Sequence, residues 1–107
     1  MRTPYHPSRD DITLPEVLYA LSDPIRLGII RKLATTPEES CGTFYKDLAK
    51  STVSHHFKVL REAGITRTRP EGTYSFISLR RQDLDARFPG LLDAILQSFE
   101  SSGETDL

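Results

Sequence analysis

With one cysteine in 107 residues, the chain can form no internal disulfide, and nothing in it points to an oxidising compartment. The longest apolar runs fall far short of the roughly 20 residues that a spanning helix needs. The N-terminus shows no hydrophobic signal segment. Together these absences lead to an expectation of a cytoplasmic protein with no membrane partner. No glycine-rich phosphate loop, nucleophile elbow or HExxH pair occurs. The adjacent carboxylates Asp10-Asp11 and Glu38-Glu39 fall in expected loops with nothing arranged around them, so neither catalysis nor a cofactor is expected. Internal repeats and low-complexity tracts are also missing. A net charge of −1 shows no excess of either sign, and at first sight it argues against nucleic acid.

The distribution of charge reverses that impression. Between Lys46 and Arg81 lie eight cations against three anions, whereas the rest of the chain has six cations against twelve anions. A segment of charge +5 is thus set within a remainder of −6. The other proportions, 37% hydrophobic and 27% charged, are ordinary for a globular protein with one core.

The residues from Met1 to Asp11 include two prolines and no hydrophobic period, and they read as a flexible N-terminal arm. Thr13 and Glu16 have capping-box spacing, with Pro15 in the first turn, so a helix starts there and carries Val17, Leu18 and Leu21. Asp23-Pro24 ends it and begins a second helix, in which Ile25, Leu27, Ile29, Ile30 and Leu33 spread around several sides. That distribution suits a central helix. Residues 35–39 read as a connecting loop. Residues 40–48 read as a third helix, with Phe44, Tyr45 and Leu48 on one face and Cys41 in its first turn.

The stretch from Ser51 to Gly64 organises the rest. At 100° per residue, Val53, Phe57 and Leu60 share an apolar arc bordered by His56. Ser51, Ser54, His55, Lys58 and Glu62 fall on the other side. Short hydroxyls, an imidazole and a lysine on an anchored helix suit the edges and phosphates of a major groove, which admits one helix. After Gly64, which can close the helix at positive φ, the period changes to two. Ile65 to Arg69 and Thr73 to Leu79 alternate about a Pro70-Glu71-Gly72 turn, giving a hairpin. The expected architecture is mainly α with a two-stranded β-wing: a winged helix-turn-helix ordered helix, helix, helix, recognition helix, strand, strand, C-terminal helix. No glycine marks the turn before the recognition helix. The residues expected to meet DNA are Lys50, Ser51, Thr52, Ser54, His55, Lys58 and Arg61 on the helix, with Arg67, Arg69 and Thr73 on the wing.

Near the C-terminus, a short helix spans 82–88, Pro89-Gly90 resets the chain, and Leu91, Leu92, Ile95, Leu96 and Phe99 form a wide stripe. So small a core leaves that stripe without a cover, and exposed apolar patches mark partner surfaces. Leu92, Ile95, Leu96 and Phe99, with Leu14 and Leu18 of the first helix, are expected to form a homodimer interface. Residues 12–99 then constitute one DNA-binding and dimerisation domain, followed by a disordered tail over 100–107.

Ala20-Leu21-Ser22-Asp23-Pro24-Ile25-Arg26-Leu27 resembles the signature of ArsR-type bacterial regulators. Ser51 to Gly64 is similar to their recognition helix, and Thr66 to Leu79 to their wing. The resemblance, covering about Leu14 to Ile95, implies a homodimeric repressor on double-stranded DNA with an inverted-repeat operator. Many members of that family sense metals through paired cysteines or through aspartate and histidine on the last helix. Here residues 39–43 offer only Cys41, and the last helix has Asp93 and Glu100 without histidine. No metal site is therefore expected, and the effector stays unidentified. Cys41 reads first as a small apolar filler and second as a lone redox-responsive thiol. A winged helix kept as a protein-interaction module without DNA binding is the other alternative. His56 reads as a packed histidine, and Arg26 as a brace of the fold or a contact to one phosphate rather than a reader of sequence.

Overall fold

Two side-chain caps set the first two helices. The computed structural model describes residues 4–40, 42, 44 and 48–101. Thr13 accepts from the Glu16 amide at the start of α1 (Leu14–Ala20). Asp23 accepts from the amides of Ile25 and Arg26 at 2.9 and 3.1 Å, opening α2 (Pro24–Leu33). In each case an oxygen satisfies amides that the helix itself leaves unpaired. As expected of a central helix, α2 buries Ile29, Ile30 and Leu33.

The recognition helix is α3 (Lys50–Glu62), preceded by Ala49, which contributes no side-chain cap. Its C-terminus is closed twice over. The Ile65 amide donates to the Leu60 carbonyl and the Gly64 amide to that of Arg61, both at 3.0 Å, with Gly64 at φ +86°. This is the Schellman arrangement, which requires a residue at positive φ. A Cβ on Gly64 would also collide with the Ile12 side chain. Glycine is therefore required here by conformation and by space.

Among the described residues the sheet has three antiparallel strands rather than two. Their order is β1-β3-β2, with β1 at Glu39–Ser40, β2 at Thr66–Glu71 and β3 at Tyr74–Leu79. In the added strand, Glu39 pairs with Ile77 and Ser40 with Phe76. Thr68 pairs with Ile77 and Glu71 with Tyr74, so Gly72 and Thr73 form a two-residue turn, later than the sequence suggested. Pro70 lies inside β2 and is tolerated because β2 is an edge strand. Of the helix expected over 40–48, Ser40 is instead in β1 and Phe44 is buried; most of the rest, Cys41, Tyr45 and Lys46 included, lies outside the described residues. The helices α4 (Arg81–Arg87) and α5 (Leu91–Ser101) complete the chain. The architecture is a winged helix-turn-helix, mainly helical with a β-hairpin wing.

From Pro4 onward the N-terminal segment packs against the rest of the molecule. Pro7 is buried, and Ile12 is 1% exposed. Arginines from distant elements hold its carbonyls: Arg61 that of Tyr5, Arg80 that of Pro7, and Arg87 that of Ile12. Arg9 meets Asp83 at 2.7 Å.

Candidate nucleic-acid interface

One side of α3 is held by the core. Val53, Phe57 and Leu60 are buried, and the Phe57 ring meets Phe44 edge-on at 5.3 Å. Lys50, Ser51, Thr52, Ser54, His55 and Lys58 are all exposed on the remaining surface. The helix thus presents two cations, three hydroxyls and an imidazole, carried on a segment whose rotation is fixed by three buried side chains.

A polar clamp adds to that anchoring. Arg26 is 7% exposed, its Nε donates to the Ala20 carbonyl, and its Nη1 lies 3.1 Å from Nδ1 of His56. A guanidinium can only donate, so Nδ1 accepts and the ring is neutral with its proton on Nε2. Burial pushes the His56 pKa below its ordinary value, with Arg26 and His55 acting in the same direction against the nearby Asp23 carboxylate. Arg26 therefore connects the corner between α1 and α2 to the recognition helix, in the bracing role read from the sequence.

The wing is different. Arg69 is bound by both oxygens of Glu38, at 3.0 and 2.9 Å, and lies 3.3 Å from Glu71 and 4.9 Å from the Phe76 ring centre. Hydrogen bonding to Glu38 raises the Arg69 pKa further and lowers that of Glu38. Arg67 is exposed, 3.9 Å from Asp83. Thr73 is exposed at the tip. Two more members of the basic segment are committed elsewhere: Arg80 is buried on Asp83 and Pro7, and Arg81 meets Asp93 at 2.9 Å. Arg61 is half-buried beneath the arm.

His6 is a contact that the sequence did not disclose. Its Nε2 accepts from the Thr68 amide of β2 at 2.9 Å. Burial lowers its pKa, and Arg67, Arg61 and Arg80 lower it further, against a hydrogen bond to Pro4. A lone histidine in a polar segment has no periodicity that could have signalled this.

Across the molecule, Leu14 and Leu18 of α1 are 41% and 47% exposed, beside Tyr19 at 66%. Ile95 and Leu96 are half-buried, but Leu92 and Phe99 are buried against their own chain. A cleft of about 420 Å³ separates Leu18 from Ile95. Among the described residues, no three His, Cys, Asp or Glu side chains converge as a metal set, and no helix is long and apolar enough to cross a membrane.

Residues 21–69 match the family model described as a helix-turn-helix domain. That span runs from the end of α1 through α3 into β2. The chain is 40% identical over 89 residues to the uncharacterized HTH-type transcriptional regulator YceK of Bacillus subtilis, covering 80% of this chain and 89% of that one. It is 38% identical over 63 residues to the uncharacterized HTH-type transcriptional regulator MJ1325 of Methanocaldococcus jannaschii, covering 57% and 71% respectively.

Proposed function

The chain belongs to the family of HTH-type transcriptional regulators, and on that premise we propose that it is a cytoplasmic homodimeric repressor of the ArsR type, acting on an inverted-repeat operator and not governed by metal. The observation that carries this reading is the division of α3 into a buried face of Val53, Phe57 and Leu60 and an exposed face of Ser51, Ser54, His55 and Lys58. In the groove, Ser51, Thr52, Ser54 and His55 read base edges, while Lys50, Lys58 and Arg67 neutralise phosphates. Arg61, Arg69 and Thr73 lie at the margin, and Arg69 reaches a phosphate only by leaving Glu38.

One recognition helix spans too few base pairs to be selective. Two of them related by a two-fold axis read half-sites about one helical turn apart. Leu14 and Leu18 of α1, with Ile95 and Leu96 of α5, offer the apolar surface for that axis. Leu92 and Phe99 support it from beneath.

The experiment is gel shift on the DNA upstream of its own gene, paired with light scattering. Wild type is expected to shift as a dimer, with no change on adding zinc, cadmium or arsenite. Leu18 is exposed in the single chain, so Leu18→Glu is expected to fold. An isologous contact repeats the introduced charge twice, so the variant should be monomeric and lose operator affinity by at least a hundredfold. A folded Leu18→Glu that stays dimeric and binds normally places the interface elsewhere.

A further inference from the structure

Between the recognition helix and the inner face of the wing lies a cleft of about 490 Å³, within the range of pockets that take small molecules. One wall is α3, through Val53 and Phe57. The facing wall is the sheet, through Thr68, Ser75 and Ile77. Register explains why these three share a wall: Thr68 pairs with Ile77 and Pro70 with Ser75, and side chains two apart on a strand fall on one face. The Phe44–Phe57 edge-on pair supplies an aromatic floor.

The polar groups at the rim have one sign. Among the described residues lining the cleft, Lys50 and Arg61 are the charged ones, and neither wall contributes a carboxylate. Arg61 holds the Tyr5 carbonyl through Nε, leaving terminal nitrogens, one of them 4.0 Å from Glu62. Apolar walls with cations at the mouth complement a molecule that is apolar at one end and anionic at the other.

We infer that this cleft is a binding site for a small organic anion with an apolar ring body, and that its occupancy opposes DNA binding. The ring enters between Phe57 and Ile77, and the anionic group meets Lys50 and Arg61. Lys50 belongs to the surface α3 turns toward phosphates and Arg61 lies at its margin, so a bound anion cancels charge there. Such an occupant needs no differential contact far away: it binds the DNA-free state better because the phosphates compete for the same cations.

The coupling to DNA rests on the function proposed above, whereas the site itself does not, and the test separates them. Anilinonaphthalene sulfonate, a fluorescent apolar anion, is titrated into the full chain. A saturable, one-per-chain rise in fluorescence is expected, and saturating probe should weaken DNA binding at least tenfold in a polarisation assay. Ser75→Phe fills the cleft from β3 and lies outside the proposed DNA-contacting set. It should abolish the probe signal while leaving DNA affinity within about twofold; Ser75→Tyr serves if circular dichroism shows the first variant misfolded. Leu18→Glu, which alters the other apolar cleft, should keep the signal. Probe binding that survives both Ser75 variants, or vanishes in Leu18→Glu, overturns the site. Probe that binds the wild-type chain at this cleft, with its signal lost in Ser75→Phe, yet at saturation leaves wild-type DNA affinity unchanged overturns the coupling. A chain that takes up the probe and shifts no DNA refutes the proposed function and leaves the site standing.

Discussion

The recognition helix and the wing share one basic segment of sequence, yet Lys50 and Lys58 of the helix and Arg69 of the wing are held in opposite states. On α3, Lys50 and Lys58 stand exposed on a helix gripped from behind by Phe57, Leu60 and the Arg26–His56 clamp. On the wing, Arg69 lies across Phe76 with both oxygens of Glu38 upon it. Charge counted along a chain is not charge available at a surface. What decides availability is which carboxylates tertiary structure delivers, and Glu38 arrives from the segment just before β1, 31 residues from Arg69.

The contrast can be broken most severely at its anchor. Phe57→Ala removes the ring that fixes α3 against Phe44 and is expected to cost about 3–5 kcal/mol. Phe76→Ala on the half-buried outer face of the wing should cost less than half as much. Thermal melts of the two variants give the comparison directly, and equal losses would show that the wing is as deeply anchored as the helix.

Salt dependence sharpens the same contrast. Each phosphate contact releases counterions, so removing one flattens the plot of log affinity against log salt by about one unit. Lys58→Ala should show that change, and Arg69→Ala should show much less because its charge is already answered by Glu38. Identical slopes for the two variants would end the distinction. Glu38→Gln is a milder, opposite intervention. It unpins Arg69, and the expected result is a steeper slope with severalfold tighter binding at low salt.

The smallest effect is on pH. His6 and His56 both titrate below the ordinary histidine value of 6.5 in the folded chain. Below that value the unfolded chain binds protons that the folded chain does not, so stability rises with pH through this window. The contribution is complete above about 6.5 and is lost as pH falls toward the folded values. Melting temperature should therefore drop modestly between neutral pH and about 5.5. His6→Gln, whose amide oxygen still accepts from Thr68 without titrating, should shrink that drop.

The parts legible in the sequence were those with a local cause. Caps at Thr13 and Asp23, the apolar arc of α3, the glycine stop at Gly64 and the alternation of the hairpin each involve residues within a few positions of one another. The third strand was not legible because Glu39-Ser40 is two polar residues without alternation, paired only because β3 is there to receive them. The docking of the N-terminal segment was equally hidden: distant arginines hold backbone carbonyls, which every residue possesses. On α5 the stripe is apolar as expected, but its angular width conceals that Leu92 and Phe99 face inward while Leu91, Ile95 and Leu96 remain partly open.

The outer edge of β2 has a consequence for pairing with other strands. An edge strand normally offers a row of amides to any other strand that drifts by. Here Pro70 has no amide to offer, and the Thr68 amide is taken by the His6 ring. The opposite edge, β1, is only two residues long. Pro70 and the His6 ring both remove donors from the edge along which a further strand would pair. The ring of one histidine thus stands where the backbone of a neighbouring strand would otherwise bond, a stopper on the open side of the sheet.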